Sequence, residues 1–202
     1  RCVIPTLQNC VLLALNQLFR IYTMVNSGSL LVTLTDDFLR VSLYQLRTRV
    51  KRVETCLGVL TDDQIWARRH EVENAVGNLV LHLCGNIKQW VVGGIGEQSV
   101  VRDRDAEFAQ RAPLSAAELA GRLRAVAGEA EAVLERLTSA HLVQPRRIQG
   151  YDVTVLHAIY HVIDHLAEHS GQIIWATKGL TGRDLGFYRY LREEDRGAGH
   201  LP

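Results

Sequence analysis

Apolar residues recur every three or four positions in four stretches of the chain, and charged or turn-forming residues break the pattern between them. Phe38, Leu39, Val41, Leu43, Leu46, Val50, Val53 and Leu57 mark the first stretch, predicted as a helix from an Asp36 or Asp37 cap to about Gly58. Thr61 with Gln64 is a capping-box pattern, opening a short turn whose Trp66 is read as a core plug. A second helix is predicted from an Asn74 cap through Ala75 to about Val92, ended by Gly93, Gly94 and Gly96. After Pro113, Ser115 with Glu118 opens a third helix to about Leu137, with Leu119, Leu123, Val126, Val133 and Leu134 on its apolar side. The fourth runs from about Val153 to Lys178 and closes at Gly179 and Gly182. Leu185 to Leu191 reads as a short final helix that packs Phe187, Tyr188 and Tyr190 back onto the rest. Between these elements, the alternating Arg102-Asp103-Arg104-Asp105 predicts a solvated loop. Pro145-Arg146-Arg147 predicts another, its arginines solvated rather than gripping an acidic substrate group.

The pattern therefore predicts an all-α protein, a four-helix bundle with a short extra C-terminal helix. The long link between the second and third helices permits a crossover, so strict up-down-up-down order is not required. The length of 202 residues suits one domain with a proper core. A formal charge of +1 leaves no basic field for nucleic acid or a membrane surface. Cys2, Cys10, Cys56 and Cys84 form no CxxC pattern, which points to a reducing, cytoplasmic setting. No run approaches the roughly 20 apolar residues of a membrane span. Residues 1–34 are expected to be an N-terminal extension, 35–192 the bundle and 193–202 a disordered tail. The only methionine is Met24, so residues 1–23 read as upstream translation or an expression remnant, ahead of an amphipathic extra helix or a cleaved signal.

The second helix has an unusual polar side. Between Glu73 and Glu97 its only charge is Lys88, while Asn78, His82, Gly85, Asn86 and Gln89 form one stripe at spacings of three and four. A stripe facing solvent normally carries Lys and Glu, so this one is expected to face inward or line a cleft, with His82 near its middle. A hydrogen-bonded core histidine is the plainer alternative. Cys84 lies about 200° around the helix from His82 and points elsewhere.

His157, His161, His165 and His169 follow one another at a step of four on the fourth helix. Each step advances about 400°, so neighbours share a side while the first and last drift apart. Neighbouring members can hold one metal ion between them; all four cannot. His165 and His169 are the favoured pair, because they lie towards the C-terminal half and precede Gly171, where a neighbouring backbone could approach. His161 is the reserve. With His82 they would make a three-imidazole site, the arrangement that leaves a catalytic zinc an open position. A plain, partly exposed histidine stripe is the alternative. His165-Leu166-Ala167-Glu168-His169 also fits the H-x-x-E-H pattern of inverted zinc proteases, but those need a downstream acidic ligand, and the 33 residues that follow are mostly a short aromatic helix and a tail.

His82 within Gly77-Asn78-Leu79-Val80-Leu81-His82-Leu83-Cys84-Gly85-Asn86, then His165-xxx-His169-Ser170-Gly171-Gln172, resembles the DinB/YfiT-like superfamily of metal-binding four-helix bundles. Thr181-Gly182-Arg183-Asp184-Leu185-Gly186-Phe187-Tyr188 is similar to an uncharacterised branch of it. The resemblance covers about Asp36 to Leu191. It implies up-down-down-up connectivity, often pairing as a homodimer, and a zinc or nickel ion on His82, His165 and His169.

Relatives in the superfamily include transferases and isomerases that use low-molecular-weight thiols such as bacillithiol and mycothiol. The resemblance therefore implies a metal-dependent enzyme on a small-molecule substrate, a thiol S-transferase before a hydrolase. The alternative is a metal-binding bundle without catalysis, a sensor, store or interaction module. Asp164, Glu168 and His161 are candidates to accept hydrogen bonds from the ligating imidazoles or to act as a base. No substrate-binding or cofactor-binding motif stands out.

Overall fold

The computed structural model describes residues 34–111 and 114–191. The first and last segments of the expected domain scheme, apart from Leu34, thus lie outside the described residues, as does Met24. Helix α1 covers residues 34–57. The Thr61–Gln64 capping box is formed in both directions and opens α2, Asp62–Trp66. Trp66 plugs the junction beyond it, its indole N–H donating to the Leu114 carbonyl at 3.0 Å. The indole lies so close to Gly77 that a Cβ there would stand 2.7 Å from the ring.

Helix α3, Val76–Ile87, begins at Ala75 without a side-chain cap, so Asn74 does not cap it. Gly93 and Gly94 do not end it either. The helix widens into a π-helical stretch, Lys88–Ile95, and stops at Gly96, whose N–H reaches back to the Val91 carbonyl. The glycines serve close packing instead: a Cβ on Gly94 would meet Ile148 Cδ1 at 2.4 Å. Glu97 makes the left-handed turn out of the helix.

The alternating-charge segment is not a solvated loop. Asp103 accepts from the Ala106 N–H and caps α4, Arg104–Ala109. Ser115 and Glu118 form the expected capping box of α5, Ala116–Leu134. After α6, Ser139–Leu142, the chain makes an antiparallel hairpin, β1 Pro145–Ile148 and β2 Tyr151–Thr154, where a loop was expected. Gln149 and Gly150 both take positive φ at its tip, the conformation of a tight two-residue turn. Thr154 then caps α7, Val155–Thr181, which ends on Gly182 in the left-handed conformation. The final helix expected from Leu185 to Leu191 is reduced to one 3-10 turn, Arg189–Leu191.

Cross-helix contacts fix the directions. Arg47 bonds Glu131 and Glu135 while Arg124 bonds Glu54, so α1 and α5 run oppositely. Asp62 caps the N-terminus of α5 beside the Trp66–Gly77 contact, and Lys88 pairs with Glu129, so α3 and α5 are parallel. His82 meets His165 while Trp90 meets His161, so α7 is antiparallel to α3. The order is up-down-down-up, and the link through α4 makes the crossover. Leu46, Val53, Leu57, Leu83, Ile87, Leu119, Leu123, Leu166 and Ile173 fill the centre. Among the described residues no helix is long and apolar enough to cross a membrane.

Candidate metal centre

The polar stripe of α3 turns inward. Asn78, His82 and Asn86 are buried, and each lies one turn from the next. Opposite them, α7 presents His165 and His169. One ring nitrogen from each of His82, His165 and His169 falls within 4.8 Å of the other two. The two Nε2 atoms of His82 and His165 are 2.9 Å apart. That is less than twice the roughly 2 Å bond between imidazole and zinc, so one cation can reach both.

The other ring nitrogens explain why Nε2 is offered. Glu107 Oε2 stands 2.9 Å from His82 Nδ1. Arg102 Nη2 also lies 3.1 Å from that nitrogen. The carboxylate is the partner that counts, because Nδ1–H can donate to it. The guanidinium is already used: Nε and Nη2 donate to Glu107 at 2.7 and 2.8 Å, and Nη1 to Gln89 Oε1 at 3.0 Å. The proton of His82 therefore sits on Nδ1, leaving a lone pair on Nε2. His169 repeats the device, its Nδ1–H donating to Gln172 Oε1 at 2.8 Å. A lone pair aimed at His165 Nε2 over 2.9 Å needs a proton or a cation between the rings. The donor set fits a divalent ion on these grounds.

Burial governs the charges here. Desolvation, then repulsion from His169, His82, His161 and Arg102, pushes His165 down to about 3, so its ring is neutral and free to ligate. For Glu107 burial opposes ionisation, but the Arg102 and His82 hydrogen bonds outweigh it and hold the carboxyl below its usual range. The Arg102 side chain is only 5% exposed and Glu107 11%, so the ion pair is largely dry. Phe108 lies against the His82 ring at 4.6 Å between centroids and closes this side.

Other expected residues lie elsewhere. Asp164 and Glu168 are exposed and hydrogen-bond none of the three histidines, because their positions on α7 face outward. The acceptor for His82 comes instead from α4. With Glu168 turned away, H-x-x-E-H does not work as a motif here. His161 packs on Trp90 at 4.0 Å with the rings tilted by 34° and stacks on His165 at 5.6 Å, but it is not among the three histidines whose nitrogens converge. Gly171 is exposed with nothing within 4 Å, so among the described residues no backbone approaches there. Cys84 packs against the core, and burial raises its thiol to about 12, far from a ligating thiolate. Arg147 pairs with Asp152, and Arg146 with Glu97.

Arg102, Glu107 and Gln172 are the residues that sequence reasoning missed. The signal for Glu107 was Gly85, the one bare position in an otherwise polar stripe: a Cβ there would stand 1.8 Å from Glu107 Oε1.

Four helices in this order, with histidines meeting between the second and last long ones, define a DinB-like bundle. The chain belongs to the DUF1572 family of proteins of unknown function, whose model matches residues 33–189. Its fold is similar to that of a conserved protein from Enterococcus faecalis, at 15% identity and a TM-score of 0.61, covering 71% of this chain and 97% of that one. A DinB-like protein from Bacillus cereus is similar at 19% identity and a TM-score of 0.56, covering 71% and 93%. No curated protein matches the chain.

Proposed function

We propose that His82, His165 and His169 bind one divalent ion, zinc or nickel, and that the protein is a metal-dependent enzyme acting on a small molecule. The observation that carries this is the convergence of three imidazole nitrogens, two of them with the opposite nitrogen held by a hydrogen-bond acceptor. Three ligands, with no thiolate beside them among the described residues, leave room for a further partner, as catalytic sites require. Once bound, such an ion lowers the pKa of a thiol or water beside it and so supplies a nucleophile near neutral pH. Thiol S-transfer is the favoured reaction and hydrolysis the second.

The chain's own contribution is orientation. Arg102 keeps Glu107 ionised, and Glu107 fixes the tautomer and the orientation of the His82 ring. Phe108 and Trp90 keep water from the flanks of His82 and His161. With a net charge of +1, a small-molecule partner is favoured over nucleic acid.

Elemental analysis of protein purified without a histidine tag tests the reading, beside His82→Ala, His165→Ala and His169→Ala. One equivalent of metal in the wild type, lost in each variant, is expected. A turnover of thiol with an electrophile that vanishes in His165→Ala would support the enzyme. A metal that raises only the melting temperature would leave the non-catalytic sensor or store.

A further inference from the structure

Asn78 lies one turn before His82 on α3, about 6 Å along the axis. Its side chain is buried and ties two arginines to the metal centre. The Asn78 amide accepts from Arg68 Nη2. It also donates to the carbonyls of Glu107, Phe108 and Gln110 at 2.9, 3.3 and 3.2 Å. Arg111 Nη1 donates to two of the same carbonyls, those of Phe108 and Gln110, at 2.7 and 3.0 Å.

Arg68 and Arg111 line one cleft, and among the described residues neither has a carboxylate partner. Glu73 is committed to Arg69, bonding both its guanidinium and its backbone N–H. Glu71 and His70 also line the cleft, and Glu71 pairs with no described cation. Burial, then repulsion from Arg111, lowers the pKa of Arg68, the mark of two cations with no anion between them. Surface arginines usually escape such repulsion by swinging apart; these two are held by hydrogen bonds.

A cavity of about 240 Å³ adjoins the cleft through Arg68 and Arg69, with Val76, Trp175, Ala176 and Leu180 in its walls. Ala176 is seven residues beyond His169, on the same side of α7 and about 10 Å along it. Trp175 is 66% exposed, with Arg69 over its ring at 5.4 Å. A large ring left open beside an apolar cavity suits a ligand's hydrocarbon part.

We propose that Arg68 and Arg111 bind the carboxylate or phosphate end of the small molecule on which the histidine site acts, its apolar part lying against Trp175. Guanidinium pairs suit such groups because their N–H donors meet two oxygens at once. The role of this ligand as a substrate rests on the metal reading above; the anion subsite does not need the ion, and the test separates them.

Binding of hexanoate, hexyl phosphate and hexan-1-ol is measured by calorimetry on metal-free and zinc-loaded protein. Saturable binding of both anions to the metal-free wild type is expected, with the alcohol at least tenfold weaker. Arg111→Gln, an exposed position that leaves the fold intact, should weaken the anions tenfold or more, and Arg68→Gln with Arg111→Gln should abolish their binding. Trp175→Ala should weaken hexanoate but not acetate. Arg147→Gln, at a distant paired arginine, should change nothing. His165→Ala should keep anion binding while losing zinc, so failure of the metal reading leaves this result standing. Equal affinity for hexanoate in the wild type and in folded Arg111→Gln, or equal binding of the alcohol, would overturn the subsite.

Discussion

Glu107 reaches His82 across the bare backbone of Gly85. A methyl group at position 85 would stand 1.8 Å from Glu107 Oε1 and 2.7 Å from Arg102 Nε. Alanine in a helix interior normally stabilises by about 1 kcal/mol relative to glycine. Here the opposite sign is expected, because the methyl displaces a buried ion pair. Gly85→Ala should lose about 1–3 kcal/mol by chemical denaturation and bind zinc about 10–100-fold more weakly in a competition titration. A variant as stable as the wild type, with unchanged zinc affinity, would remove Glu107 from the support of His82.

The Arg102–Glu107 pair also sets an energetic asymmetry. Both side chains are largely buried, and Glu107 gains its ionised state mainly from Arg102. Removing the cation leaves a dry carboxylate with only a histidine to neutralise it. Arg102→Ala should therefore cost about 3–5 kcal/mol at pH 7. Arg124→Ala, which breaks an exposed pair with Glu54, should cost under about 1 kcal/mol. Urea unfolding of both variants compares them directly, and similar losses would mean that burial does not matter here.

How much of this was readable beforehand follows the length scale of each signal. α3 and α7 are long, so their periodicity shows which side faces inward, and the uncharged stripe around His82 and the step of four in α7 pointed at rings that the fold brings together. α4 has six residues, too few for a period, and its charges alternate as in a solvated loop. That Arg102 and Glu107 are buried depends on where the crossover lays α4, which no local pattern encodes. The hairpin has four-residue strands without alternation, and only the Gln149-Gly150 tip hinted at it. Gly93 and Gly94 read as a helix stop, yet Gly93 answers to Val100 and Gly94 to Ile148, some fifty residues on. At Gly171 the opposite error occurred, a close approach expected where there is open space.

Acid should loosen the metal-free protein well before its carboxylates protonate. His165 titrates near 3 when folded and near its ordinary 6.5 when unfolded, so between those values the unfolded chain holds the extra proton. Stability therefore falls as pH drops from about 6.5 towards 3. His161, lowered by burial, adds to the same trend. Glu107, also lowered, contributes stability above its ordinary pKa that is lost only as pH falls through its folded value, at the acid end of the window. Melting curves of EDTA-treated protein from pH 7.5 to 4.5 should slope downward, and more gently in His165→Asn. Parallel slopes in the two proteins would mean that His165 is not held neutral by the fold.

His161 separates a ligand from a packing residue. Its ring lies 5.6 Å from His165 between centroids but only 4.0 Å from Trp90, and it is not among the three nitrogens that converge. On that geometry His161→Ala removes an aromatic contact worth about 0.5–1.5 kcal/mol and leaves the ligand set whole. It should lower the melting temperature while retaining one equivalent of zinc, whereas His169→Ala should lose the zinc with a smaller change in the metal-free melt. Conservative replacement by Phe at 161 should restore stability without altering metal content, since the π-face against Trp90 returns and no nitrogen does. If His161→Phe instead loses the metal, the site uses the α7 pair one turn earlier, and His169 becomes the dispensable ring.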